Sequence, residues 1–123
     1  MESTFVPVTG PEALERFFAD SHAGPVPLFQ HDPYCGTSAA AYREMALVPG
    51  PVSLVDVAAA PQLSRAIAER TGVRHESPQV LVLRDGQVTW SASHRAITAD
   101  DVRHALGAEA GAGADRSAIR RDG

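Results

Sequence analysis

A single cysteine, Cys35, is the residue of this 123-residue chain that most directly suggests chemistry. One cysteine cannot form a disulfide within its own chain, and it cannot supply the several thiolates of a structural zinc site. It is therefore either a small buried hydrophobic residue or a reactive thiol. Because Cys35 stands between an apolar run and a helical pattern, we expect it at a helix N-terminus. There the unpaired N–H groups and the helix dipole favour the thiolate, and thus the reactive alternative.

Ser38 stands three residues after Cys35, where the second cysteine of a Cys-x-x-Cys redox pair would be. A serine cannot resolve a mixed disulfide, so the site cannot run an intramolecular dithiol cycle. It can still attack an external disulfide and wait for a second thiol. We expect the Ser38 hydroxyl to donate a hydrogen bond to the Cys35 sulfur, to cap the helix backbone, or to do both.

The dipeptide Ser77–Pro78 directly precedes a second apolar run, Val80–Leu83. Proline is tolerated at the first position of a strand, and X–Pro bonds are where cis peptides occur. A cis bond would expose the backbone N–H and C=O of Ser77 for an extended peptide or a thiol beside the cysteine. An ordinary trans turn is the alternative, and the local sequence favours it.

Other residues near these two segments could tune the thiol or contact a substrate. His31, four residues before Cys35, could lower the pKa of the thiol when protonated. Arg74 could pair with a carboxylate of a small thiol, although a solvated charge is the alternative. Together with Ser77–Pro78, the predicted substrate-binding residues are His31, Tyr34, Gly36 and Arg74.

Of two further histidines, His75 stands just before Ser77–Pro78 and is expected to face the same groove, whereas His94 ends the hairpin strand. A surface or partly packed side chain is the favoured alternative for each histidine. A metal site built from them with His31 and Cys35 would match no known ligand spacing. The sequence therefore predicts no metal ion.

Alternating strand and helix patterns must position these residues. The predicted strands are Phe5–Val8, Val26–Phe29, Val52–Val57, Val80–Leu83 and Val88–Ser91, with helices beginning near Thr9, Ser38, Pro61 and Thr98. Thr9 with Glu12, and Thr98 with Asp101, have the spacing of a capping box. Helices between strands predict parallel pairing, and Asp85–Gly86 predicts a hairpin that adds an antiparallel edge. The order β-α-β-α-β-α-β-β-α predicts an α/β fold with a mixed central sheet and helices on both faces.

Composition limits the functions that the chain could have. A length of 123 residues suits one domain, which we place at residues 1–107, with 108–123 as a disordered tail rich in Gly, Ala, Arg and Asp. The net charge of −4 and the absence of lysine argue against nucleic-acid binding. No apolar run approaches the roughly 20 residues that span a bilayer, and no signal pattern opens the chain. We therefore expect a cytoplasmic protein that binds neither nucleic acid nor membrane.

Several segments together resemble the thioredoxin-like superfamily and, within it, the monothiol bacilliredoxin family. These segments are Leu28–Cys35, Ser38–Glu44, Arg70–Gln79, Ser91–His94 and Ile97–Thr98, spread over most of residues 5–106. The His-Glu-Ser-Pro-Gln stretch at residues 75–79 is specific, whereas Cys-x-x-Ser alone is a weak signal. Gly36 departs from the proline that members tend to have after the cysteine. Phe29 stands where many thioredoxins carry a buried carboxylate.

The resemblance implies a redox-active Cys35, a cis bond at Pro78 and no bound cofactor. It implies reduction of mixed disulfides between S-thiolated client proteins and a low-molecular-weight thiol, bacillithiol in this family. Cys35 would take up the small thiol and a second small thiol or a reductase would release it. A redox sensor, a non-catalytic binding domain and an arsenate-reductase-like enzyme are the alternatives.

Overall fold

The computed structural model describes residues 3–107, so the predicted tail at 108–123 lies outside the described residues. The strands are β1 (Ser3–Pro7), β2 (Val26–His31), β3 (Gly50–Asp56), β4 (Gln79–Arg84) and β5 (Gln87–Ser93). The helices are α1 (Pro11–Asp20), α2 (Gly36–Met45), α3 (Pro61–Thr71) and α4 (Ala99–Gly107), with a 3-10 turn at His94–Ala96. The predicted element order is confirmed. Within residues 3–107, none of the helices combines the length and the apolar character needed to cross a membrane.

The five strands form one mixed sheet in the order β1-β3-β2-β4-β5. Both β1 and β2 run parallel to β3, whereas β4 runs antiparallel to β2, and β5 antiparallel to β4. The expectation that each helix joins parallel strands was therefore wrong for α3. Residues 72–78 lead the chain back to the carboxyl end of β2, where Gln79 pairs with Gln30, so β4 starts at that end. The same return brings Ser77–Pro78 to the end of β2 that leads to Cys35.

Apolar side chains cover both faces of the sheet, as the fold class predicts. On one face α1 and α3 pack through Leu14, Phe17, Leu63 and Ile67 against Leu28, Val55 and Leu81. On the other face α2 and α4 pack through Ala41, Met45 and Val102 against Phe29, Val52 and Val80. The central strands β2 and β4 are buried from both sides, which agrees with their unbroken apolar runs.

The helix ends partly follow the predicted caps. Thr9 does not cap α1: Gly10 is the N-cap residue, because a proline such as Pro11 disfavours helical geometry in the residue before it. The cap of α4 forms, since the Thr98 hydroxyl accepts a hydrogen bond from the Asp101 N–H at 3.2 Å. The predicted hairpin is also present, with left-handed φ values of 53° at Asp85 and 78° at Gly86.

Candidate active site

Cys35 is the N-cap residue of α2, which begins at Gly36, two residues earlier than predicted. Its backbone is extended (φ −115°, ψ 127°), and its carbonyl accepts the first helical hydrogen bond, from the Ala39 N–H at 3.0 Å. The thiol is free and partly exposed. A partly exposed cysteine whose side chain stands at the positive end of a helix is positioned as a nucleophile.

Asp32 holds the turn that presents the cysteine. Its carbonyl accepts a hydrogen bond from the Cys35 N–H at 3.1 Å, and its carboxylate accepts one from the Tyr34 N–H at 2.9 Å. Its own N–H donates to the hydroxyl of Ser38 at 2.9 Å. These bonds tie the turn to the first turn of α2, so the sulfur is carried on a braced segment.

Ser38 is completely buried and forms its hydrogen bonds with the turn before the cysteine, not with the Cys35 sulfur. Its Oγ lies 2.8 Å from Nδ1 of His31. Because the Asp32 N–H already donates to this oxygen, the hydroxyl proton is directed to Nδ1 when His31 carries its proton on Nε2. Ser38 thus connects β2, the cysteine turn and α2.

The imidazole of His31 packs against two aromatic side chains, with ring centroids 5.3 Å from Phe29 and 5.0 Å from Tyr42. Burial lowers the pKa of His31 below its ordinary value, and the carboxylates of Asp56 and Asp32 oppose this shift. The neutral ring that burial favours can accept the hydrogen bond of Ser38 when its proton is on Nε2. The prediction that a charged His31 assists the thiol therefore gains no support from its surroundings.

The Ser77–Pro78 peptide bond is cis, as the resemblance implied and against the local-sequence preference for trans. Extending the β2–β4 register by one pair from Gln30 and Gln79 places Pro78 opposite His31. The buried Pro78 offers its carbonyl to the N–H of His94 at 3.0 Å. The cis-proline segment is thereby fixed beside the strand that leads into the cysteine turn.

Two grooves flank the cysteine turn. One, which we call the α3 groove, has a volume of about 440 Å³ and is lined by residues that include Asp32, Pro61, Ser64, Arg65, His75 and Ser77. The other, the α2 groove, has a volume of about 310 Å³ and is lined by residues that include Thr37, Arg43, Glu44, His94, Arg95 and Thr98. The α3 groove contains residues from both the cysteine turn and the cis-proline segment, so it connects the two predicted halves of the site.

Of the remaining predicted residues, Tyr34, Gly36 and Arg74 line neither groove. Tyr34 is 86% exposed and Gly36 is exposed at the tip of the turn. The side chain of Arg74 is 89% exposed and pairs with Glu76 at 3.2 Å rather than lining either groove. His75 lies in the α3 groove, and across the described residues the predicted histidines and Cys35 do not gather into a metal site.

Sequence reasoning missed the polar residues buried behind the site. Gln30 and Gln79 are 1% and 3% exposed, and the Gln30 amide donates to the Gln79 side-chain oxygen at 2.6 Å. Ser64 and Arg65, which line the α3 groove, were also missed. The one available signal was a glutamine inside an apolar strand, since such a residue needs a buried hydrogen-bond partner.

A comparison with protein families connects this geometry to known sequences. The family model described as "Monothiol bacilliredoxin BrxC" matches residues 6–102. The match spans the cysteine turn, α2, the cis-proline segment and the start of α4, up to residue 102. It therefore covers every residue of the predicted site.

Solved structures share the fold. A protein described as a candidate oxidoreductase with a thioredoxin fold superposes with a TM-score of 0.76 at 24% identity, covering 82% of this chain and 92% of its own. A thioredoxin from Trypanosoma brucei brucei gives 0.64 at 15% identity, covering 84% and 88%. A thioredoxin variant from Halobacterium salinarum NRC-1 gives 0.62 at 18% identity, covering 85% and 88%. At these identities the likeness establishes the thioredoxin fold.

Proposed function

The chain belongs to the monothiol bacilliredoxin family, and from this premise we propose that it removes bacillithiol from S-thiolated client proteins. Membership of this family and the thioredoxin fold support the broader role of a thiol oxidoreductase. Beyond this broader role, we propose that the small thiol is bacillithiol and that the clients are S-thiolated proteins.

The observation that carries the proposal is the place of Cys35. It is the sole cysteine of the chain, is partly exposed, and caps a helix beside the strand that pairs with the cis-proline segment. A chain with a single thiol has no internal resolving group, so its catalytic cycle must use a thiol from outside. This requirement matches a monothiol mechanism.

In the first proposed step, the Cys35 thiolate attacks the sulfur of the small thiol in the mixed disulfide. A bond forms between Cys35 and the small thiol as the original disulfide breaks, and the client leaves as a thiolate that takes a proton from water. In the second step, another small-thiol thiolate attacks the sulfur that is bound to Cys35. This regenerates the Cys35 thiolate and releases the small thiol as its own disulfide. The client cysteine is thus reduced, and the incoming small thiol is oxidised as it forms a disulfide with the small thiol removed from the client.

The braced turn contributes orientation rather than proton transfer. Asp32 and Ser38 fix the backbone that carries Cys35, which keeps the attacking sulfur aligned with the incoming disulfide. A supply of reduced small thiol is needed for turnover. We therefore propose a reducing compartment, the cytoplasm, as its location.

Turnover with a model substrate tests the proposal. A peptide carrying bacillithiol on its cysteine would be mixed with catalytic amounts of the protein and excess reduced bacillithiol, and free peptide thiol would be followed by mass spectrometry. The wild-type protein is expected to release many equivalents of peptide per equivalent of protein. Cys35→Ser, and wild type alkylated at Cys35, are expected to match the rate without protein.

Substituting glutathione or mycothiol for bacillithiol in both substrate and reductant tests the choice of thiol. Faster turnover with bacillithiol supports the proposal. Faster turnover with one of the others keeps the oxidoreductase role and refutes bacillithiol. Stoichiometric S-thiolation of Cys35 that does not turn over with any thiol refutes the enzyme and favours redox sensing.

A further inference from the structure

Three residues that line the α3 groove each carry a buried polar atom without a partner among the described residues. Among the described side chains, four buried nitrogen or oxygen atoms have no hydrogen-bond partner, and three of them belong to Ser64, His75 and Ser77, which line this groove. The fourth is the amide oxygen of Gln30. Buried polar atoms in folded proteins are nearly always paired, because an unpaired one loses its hydration without compensation. Their convergence on one groove indicates a surface that a polar ligand completes.

These atoms come from separate parts of the chain. Ser64 is 5% exposed and its Oγ extends from α3, whereas the His75 Nδ1 and the Ser77 Oγ belong to the segment before the cis-proline. A hydroxyl can donate and accept, and a neutral imidazole nitrogen can do either according to its tautomer. A ligand bearing several hydroxyl, amide or carboxylate groups could satisfy all three at once.

Charge further defines the ligand. Arg65, on the exposed side of α3, contributes a guanidinium to the groove and, within residues 3–107, has no carboxylate partner. A guanidinium binds carboxylates through paired, charge-assisted hydrogen bonds. Asp32, another residue of the lining, belongs to the turn that carries Cys35. The groove thus includes both an arginine on α3 and a residue of the reactive turn.

We propose that the α3 groove binds the polar body of the low-molecular-weight thiol, with its carboxylate on Arg65 and its other polar groups on Ser64, His75 and Ser77. The inference rests on the proposed function, since it assigns the part of the substrate that surrounds the attacked sulfur. A thiol with a carboxylate and hydrogen-bonding groups at some distance from its sulfur fits the groove. A short thiol that lacks them leaves the polar atoms unpaired.

The test compares two substrates that differ only in the small thiol. One model peptide would carry bacillithiol on its cysteine and the other 2-mercaptoethanol, and the single-turnover rate of peptide release would be measured for each. Arg65→Ala is expected to slow release from the bacillithiol peptide about tenfold, as the loss of one charge-assisted hydrogen bond predicts. Release from the 2-mercaptoethanol peptide should change less than about twofold.

Two further variants support the comparison. Ser64→Ala removes a hydroxyl that has no hydrogen-bond partner among the described residues, and it is expected to slow only the bacillithiol reaction. Arg95→Ala removes an arginine from the α2 groove and is the matched control, expected to leave both rates unchanged.

The outcomes separate this inference from the proposed function. Wild-type protein that fails to release either peptide refutes the proposed function itself. Active wild-type protein with equal rates for Arg65→Ala and wild type on the bacillithiol peptide refutes the subsite alone. If Arg65→Ala slows both peptides equally, the groove holds the client polypeptide, and the assignment to the small thiol is wrong.

Discussion

The α2 groove and the α3 groove differ in how their polar atoms are used. In the α2 groove, the Glu44 carboxylate accepts the Ala99 N–H at 2.8 Å, and the imidazole of His94 lies 3.0 Å from Glu76. In the α3 groove, Ser64, His75 and Ser77 each retain a buried polar atom that has no hydrogen-bond partner within residues 3–107. One side of the site thus satisfies its own hydrogen bonds, and the other does not.

The contrast indicates that polar residues of the α2 groove hold the fold in place, whereas those of the α3 groove are available to bind a ligand. Glu44 joins α2, which carries Cys35, to the first turn of α4, and the His94 backbone joins the 3-10 turn to Pro78. These contacts stabilise the fold, so a ligand that replaced them would lower the stability of the protein. The unpaired atoms of the α3 groove do not stabilise the fold, so their removal should weaken ligand binding without destabilising the protein. The following variants test that division.

The largest effect is expected at Glu44. Glu44→Ala leaves the Ala99 N–H at the start of α4 without its acceptor and should lower the free energy of unfolding by about 1–2 kcal/mol. Glu44→Gln keeps an accepting oxygen and should recover most of that loss. Urea denaturation measures both, and equal stability of Glu44→Ala and wild type would contradict the structural role assigned to this groove.

Ser64→Ala should have a smaller effect of the opposite sign. Alanine has the higher helix propensity and removes an unpaired buried hydroxyl, so the free energy of unfolding should rise by about 0.5–1 kcal/mol.

Ser21 is the matched control for Ser64 because it is also a buried serine. Its hydroxyl donates to the Phe18 carbonyl at 2.6 Å and accepts the Gly86 N–H at 2.8 Å. Ser21→Ala should therefore destabilise the protein in the same denaturation experiment. If both variants lose stability to the same degree, Ser64 is paired in solution and the comparison fails.

A third, weaker effect concerns pH. Because burial holds the pKa of His31 below its ordinary value near 6.5, the unfolded chain takes up a proton at a higher pH than the folded protein does. Protonation of His31 does not affect the free energy of unfolding well above pH 6.5, and it lowers that free energy as the pH falls through 6.5. Asparagine at this position cannot be protonated, so His31→Asn should flatten the stability profile between about pH 7 and 5. Urea denaturation at each pH measures these profiles. If stability changes with pH equally in the variant and in wild type, His31 does not cause the pH dependence.

The smallest effect is expected at Glu76, which pairs with His94 and Arg74 at the surface. The hydrogen bond from His94, with a further contribution from Arg74, lowers the pKa of Glu76. Its stabilising contribution is therefore present above its unfolded pKa of 4.5 and is lost as the pH falls through the lower folded value. Glu76→Gln should reduce thermal stability slightly at low salt and not at high salt, because salt screens exposed pairs. A loss that persists at high salt would show a structural role beyond the ion pair.

The sequence was sufficient for the local features of the fold. Apolar runs at Val26–Phe29 and Val80–Leu83 identified the two central strands, and Asp85–Gly86 identified the hairpin. Cys35 was correctly placed at a helix start. Each of these features depends on neighbouring residues alone, through side-chain periodicity, turn geometry or the backbone limits that proline and glycine impose.

Tertiary structure decided everything that depends on residues far apart in the chain. The direction of β4 follows from the path of residues 72–78, which no local pattern encodes. Tertiary packing also creates three arrangements that no local pattern encodes. It pairs Gln30 with Gln79, brings Ser38 to His31, and places α3 and the cis-proline segment along one groove. The sequence by itself determined which residue can react. Packing determined which polar atoms lie beside it and which of them stay unpaired, because burial and partner geometry exist only once the chain is folded.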